Sequence, residues 1–177
     1  MKVEFLNPFV RSVAKNIEAN LSERPKMERA FLRDENPFTT EQVAIVIGVT
    51  GHLAGQVVIS MSEKCAVGIA ALMMMEKGLS ELNECAQSAI AEMGNMITAN
   101  ATIGLAEAGY KSDITPATVI TGRKMEVSMP SCIRTVVIPL SVSSGNIEVN
   151  LSLIESAKLA IYFKEKEFKA EAVPAAV

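Results

Sequence analysis

The sequence predicts an α+β fold, an antiparallel β-sheet packed against long α-helices, and two observations carry that prediction. Residues 42–61 and 132–154 each hold a pair of β-branched runs around a turn-rich centre, the pattern of an antiparallel hairpin. Three other segments place apolar residues at helical spacing, and helices laid on an antiparallel sheet make an α+β domain.

Taken in order, Asn7-Pro8 reads as an N-cap followed by proline at the first helical position, where its missing N–H costs nothing. Phe9, Val13, Ile17 and Leu21 then form one apolar stripe. Residues 22–42, polar and interrupted by Pro25 and Pro37, read as a surface connection with one short helical turn. "QVAIVIGVTGHLAGQVVISM" gives the first hairpin around "TGHLAG", and its continuous apolar first run predicts burial on both faces. Ser62 caps a helix that Gly78 stops. A second helix, capped by Ser80 with Glu81 and Glu84 in its first turn, runs to Gly109, a span of ~43 Å at ~1.5 Å per residue. "ATVITG" is a short strand. "CIRTVVIPLSVSSGNIEVNLSLI" is the second hairpin, with Ile147, Val149, Leu151 and Leu153 alternating against Glu148, Asn150 and Ser152. The expected organisation is one domain over 1–163 and a charged, fraying tail over 164–177.

Composition narrows the function. The chain has 177 residues, 49% apolar and 21% charged, with net charge −3, so it lacks the clustered basic excess of a nucleic-acid binder. Its longest apolar runs fall short of the ~20 residues a membrane span needs, and no secretory h-region opens it; the expected address is cytoplasmic. Cys65, Cys85 and Cys132 sit among apolar neighbours, as reduced, buried thiols would, and without paired C-x-x-C units they suggest no metal site.

Several chemical readings fail on context. The single histidine, His52, has no nucleophile or carboxylate beside it in sequence and reads as a surface turn residue. "GVTGHLAG" lacks the Lys-Ser/Thr ending of a phosphate loop and leads into a strand. Met73, Met74 and Met75 read as adaptable core packing.

The long helix is different. Leu82, Ala86, Ile90, Met93, Ile97, Ala101, Gly104 and Ala108 make a core stripe. Ser88, Glu92, Asn95, Ala99 and Thr102 make a second, polar and short-chained stripe, and no lysine or arginine occurs between Ser80 and Tyr110. Surface helices usually clothe such a face with paired charges, so this bare one suits contact with another surface. Glu92 and Asn95, three apart, project the same way. Asn100 falls nearer the core stripe and is expected to bond internally.

"SAIAEMGN", with "GVTGHLAGQVVISM" before it and "ITPATVITG" after it, resembles the CheC/CheX/FliY family of chemotaxis phosphatases, most nearly its CheX-like members. That family's signature is Asp or Ser, then E-x-x-N on a helix, then a proline further on; Ser88, Glu92, Asn95 and Pro116 fill those places, Pro116 slightly early. About one E-x-x-N is expected by chance in this composition, so placement decides. "EFLN", Glu4 to Asn7, also matches, but Asn7 precedes proline and is expected outside the α region, which would leave one site per chain.

The resemblance implies a CheC-like fold and a phosphatase acting on the aspartyl phosphate of a CheY-type receiver domain, ending a chemotactic or two-component signal. It implies Asn95 as the residue that orients water and Glu92 as the partner of the receiver's lysine, with Ser88, Ala99 and Thr102 in the contact face. It implies no cofactor of the protein's own, Mg²⁺ on the receiver, and a homodimer paired through sheet edges, for which the strands "VAIVIGV" and "IRTVVIPL" offer apolar edges. The alternative is a non-catalytic module that binds receivers.

Overall fold

A computed structural model describes residues 3–171, with side chains described over 4–166. The chain runs α1 (Val3–Leu21), β1 (Lys26–Met27), β2 (Phe31–Arg33), β3 (Phe38–Thr39), β4 (Val43–Gly51), β5 (Leu53–Met61), α2 (Glu63–Met74), α3 (Glu84–Glu107), β6 (Ser112–Ile114), β7 (Thr118–Thr121), β8 (Glu126–Val127), β9 (Thr135–Val142), β10 (Gly145–Glu155) and α4 (Ser156–Glu171). The main sheet is antiparallel in the order β1-β9-β10-β5-β4-β6, with β2 also on β9 and β7 also on β4. The fold is α+β, as expected.

Both hairpins stand where the sequence placed them, with Val43 opposite Met61 and Gly145 opposite Val142. Ile45, Ile59, Val149 and Ile138 share one row across the sheet and belong to the core under α1, α2 and α3. Their alternates are buried too. Val58, Val137, Asn150 and Ser152 are each at most 1% exposed on the opposite face, where Glu41 N–H donates to Ser60 Oγ at 2.7 Å and Gln56 reaches Met129. So Asn150 and Ser152, expected to face solvent, lie inside; Ser152 shares a 2.8 Å hydrogen bond with Thr135, which satisfies the hydroxyl without water.

The helix boundaries differ from expectation for local reasons. α1 begins before Asn7 and contains Pro8, because Phe5 extends the apolar stripe upstream and packs edge-on against Tyr110 with ring centroids 4.8 Å apart. Asn7 is therefore helical. Glu4 and Asn7 share a helix face, and the ground for expecting a single E-x-x-N helix falls away. α2 keeps its Ser62 cap but stops at Met75, which adopts φ 54 while Glu76 N–H returns to Ala71 O, so Gly78 lies beyond the end. Met75 is 91% exposed and is not core packing. α3 starts after Asn83, whose Oδ1 accepts from Ala86 N–H at 2.9 Å; Ser80 and Glu81 precede it. Its 24 residues span ~36 Å. The core stripe ends at buried Leu105, and Ala108 is exposed.

Residues 22–42 hold β1, β2 and β3 rather than a helical turn, pairing with β9 and β8. β4 and β9, the strands proposed as apolar edges, are interior; β1 and β2 cover β9, while β6 and β7 cover β4. The charged segment from 164 continues α4 to Glu171, and 172–177 lie outside the described residues. All three cysteines are free, but Cys85 is exposed and only Cys65 is buried, its thiol pushed up to about 11 by burial and then by Glu23. His52 is exposed in its turn, as expected, with Nδ1 3.1 Å from Gly109 O.

Candidate active site

α3 buries Ile90, Met93, Ile97 and Leu105 together with the small residues Ala86, Gly94 and Ala101, and Gly94 is where it comes closest to the sheet. At Gly94, between Glu92 and Asn95, an added Cβ would come within 2.8 Å of Ile45 Cγ2 and 3.2 Å of Ile47 Cδ1. α1 packs on the other flank, where a Cβ at Gly104 would sit 3.1 Å from Pro8 Cβ. Ser12 Oγ donates to Ile97 O at 2.6 Å, Asn16 Nδ2 to Ser12 O at 2.8 Å, and Asn100 Nδ2 to Asn16 Oδ1 at 3.3 Å. Asn100 thus bonds internally, though the residue as a whole is exposed rather than turned into the core.

The opposite face is open. Ser88 and Glu92 are exposed, and Asn95, Ala99 and Thr102 are half-buried. Thr102 does not offer its hydroxyl outward; Oγ1 donates to Ala99 O at 2.8 Å. Ile103, 60% exposed, lies about three helical turns beyond Glu92 and on the same side. It was not selected from sequence, although its spacing from Glu92 and Ala99 places it there.

Asn95 is the one member of this face held from outside the helix, among the described residues. Its Oδ1 accepts from Ala117 N–H at 3.0 Å, while its Nδ2 lies 3.5 Å from Glu92 Oε2, long for a hydrogen bond. Ala117 follows Pro116 in the link between β6 and β7, where the chain parts from β4 at Gly48. Thr115 bridges that gap: its N–H donates to Gly48 O at 3.0 Å, and its Oγ1 accepts from Gly48 N–H at 2.9 Å. Pro116 is exposed and does not itself hydrogen-bond Asn95; its neighbour does. A backbone N–H carries no residue-type signature, so this contact was invisible in the sequence.

The family described as "Chemotaxis phosphatase CheX" matches residues 43–141, from the start of β4 to Ser141, just before β9 ends at Val142. The CheY-P phosphatase CheX of Thermotoga maritima is 31% identical over 160 residues, spanning 86% of this chain and 97% of that protein. The chain belongs to the CheX family. Chemotaxis protein CheX from Vibrio vulnificus has a TM-score of 0.76 at 25% identity, covering 85% of this chain and 99% of its own. The Borrelia burgdorferi structure of a CheX–CheY–BeF3–Mg²⁺ complex gives 0.74 at 23% identity, with 87% and 100% covered, and shows the same fold. The CheX family assignment agrees with the sequence resemblance, and the stretch it matches contains Glu92, Asn95 and Pro116.

Proposed function

We propose that this protein hydrolyses the aspartyl phosphate of a CheY-type receiver domain, with α3 entering the receiver's active site. The observation that carries the reading is the Asn95 carboxamide, held by Ala117 N–H on an otherwise bare helix face beside the exposed Glu92 carboxylate. The Thermotoga relative is a CheY-P phosphatase and the Borrelia relative forms a complex with CheY and Mg²⁺, which supports a receiver as partner and Mg²⁺ as the partner's ion. A receiver phosphorylated from ATP is a cytoplasmic protein, and the reading carries that address; among the described residues, no helix is long and apolar enough to cross a membrane.

An acyl phosphate is already reactive, and its transfer passes through a loose transition state that needs positioning more than covalent help. The water oxygen bonds to phosphorus as the bond from phosphorus to the aspartyl oxygen breaks. The carboxylate leaves with the electron pair, and both of the water's protons depart with inorganic phosphate. Asn95 orients that water without ionising. Glu92 pairs with the receiver's lysine, an attraction that grows several-fold as docking lowers the effective dielectric from ~80 towards ~20. Ser88, Ala99 and Ile103 line the contact.

Single-turnover decay of a phosphorylated receiver tests this. Asn95→Ala is expected to slow the stimulated decay by about 10²-fold, the scale of losing one preorganised polar contact. A wild-type rate in that variant ends the proposal, and binding without accelerated decay in the wild type makes the protein a receiver-binding module. The homodimer belongs to the same proposal. Its supporting feature is the outer edge formed by β2, where Phe31 and Leu32 are 46% and 40% exposed.

A further inference from the structure

We infer that Thr115 is a positioning residue that fixes which end of the Asn95 carboxamide meets the substrate, so that Asn95 works as a hydrogen-bond donor through Nδ2. The inference rests on the catalytic reading of Asn95 given above and extends it.

A carboxamide has an acceptor end and a donor end, and the two are told apart by what they bond. The group beside Asn95 is a backbone N–H, which can only donate. The atom 3.0 Å from Ala117 N is therefore the oxygen. With one end held, the amide cannot flip without leaving Ala117 N–H unpaired. Nδ2 is left on the Glu92 side, and its 3.5 Å separation from Glu92 Oε2 leaves it available to another acceptor. A water bonded to Nδ2–H accepts through one lone pair and keeps the other for phosphorus.

This arrangement is only as firm as Ala117, which sits between β6 and β7 where the ladder to β4 is interrupted: Val49 pairs with Ile114 and Val46 with Thr118. Thr115 closes the interruption. Its side-chain oxygen accepts from Gly48 N–H at 2.9 Å and lies 3.3 Å from Pro116 O, while its backbone N–H bonds Gly48 O. Its methyl fills the space above Gly48, where an added Cβ would meet Thr115 Cγ2 at 2.9 Å. Removing the hydroxyl frees Gly48 N–H and loosens the segment that carries Ala117. Asn95 then samples both orientations, one of which turns an oxygen towards the water's attacking lone pair.

The test is steady-state and single-turnover dephosphorylation of a CheY-type receiver by the full chain. Thr115→Val is expected to lower kcat about ten-fold, the effect of one hydrogen bond, with KM within about two-fold of wild type. Thr115→Ser, which keeps Oγ1, restores kcat. Equal activity in Thr115→Val and wild type, or a loss in Thr115→Val that Thr115→Ser does not recover, overturns the inference. If Asn95→Ala is also fully active, the catalytic reading has failed; if Asn95→Ala is slow and Thr115→Val is not, only the positioning role has. Hydrogen exchange supplies a readout independent of activity and of the Thr115 variants. The Ala117 amide is expected to exchange about ten-fold faster in Asn95→Ala than in wild type, and identical rates refute the bond on which the inference stands.

Discussion

Replacing Gly94 with alanine sets helix propensity against packing at the point where both bear on the site. Alanine in a helix interior gains about 1 kcal/mol over glycine. The added methyl, however, lands 2.8 Å from Ile45 Cγ2, a buried side chain on β4, which is paired on both of its edges. Ordinary carbon contacts begin near ~3.5 Å, so α3 or β4 must yield by ~0.7 Å. Such overpacking costs about 1–3 kcal/mol, which leaves a net destabilisation of about 0–2 kcal/mol. For a chain of this size that lowers Tm by as much as about 8 °C. If α3 takes up the displacement, the Asn95–Ala117 contact opens from 3.0 Å to beyond hydrogen-bond range. Thermal unfolding and receiver dephosphorylation measured on one preparation are expected to show a Tm no higher than wild type and a rate lowered about ten-fold or more. A higher Tm together with an unchanged rate would refute the claim that Gly94 sets the depth of the site.

Two further outcomes bear on partner contacts. Glu92→Lys places a second cation opposite the receiver's lysine, and affinity for the phosphorylated receiver is expected to fall at least about ten-fold in titration, with Tm within about 1 °C because the residue is exposed; unchanged affinity removes Glu92 from docking. Sedimentation at micromolar concentration is expected to give the mass of a dimer, and a monomer would refute pairing through the β2 edge.

The parts of the fold that were legible in the sequence are those with a long, one-sided period. Val43 to Met61 and Thr135 to Glu155 alternate or run apolar over enough residues to fix strand identity, and Ser62 announced α2 correctly. What failed was short or tertiary. The two-residue strands β1, β3 and β8 bury too little to leave a pattern and exist because β9 and each other offer partners. Asn7-Pro8 obeyed the local rule for a helix start, yet burial of Phe5 against Tyr110 outweighed it. α4 carries few apolar residues in its charged half; Tyr162, bonded to Ser131 and capped by Lys166 over its ring, ties it down in a way composition does not reveal.

The same division runs through the candidate site. Glu92 and Asn95 were legible because side-chain type and helical spacing are written in sequence, and the bareness of their face could be read from the missing lysines and arginines. Their orientation was not legible, because it depends on a backbone N–H twenty-two residues away and on a gap in a sheet ladder. That distinction bears on Pro116, which sits in the gap between β6 and β7. A proline there makes no bond to Asn95, yet it has no N–H of its own to compete, fixes its own φ and restricts Thr115 before it. With Thr115 locked to Gly48 in front and Thr118 paired with Val46 behind, the one free donor between them is Ala117 N–H, and it points at Asn95. On the proposed reading of Asn95, the distance in sequence from Asn95 to Pro116 is what brings the break in the β4 ladder beside the amide.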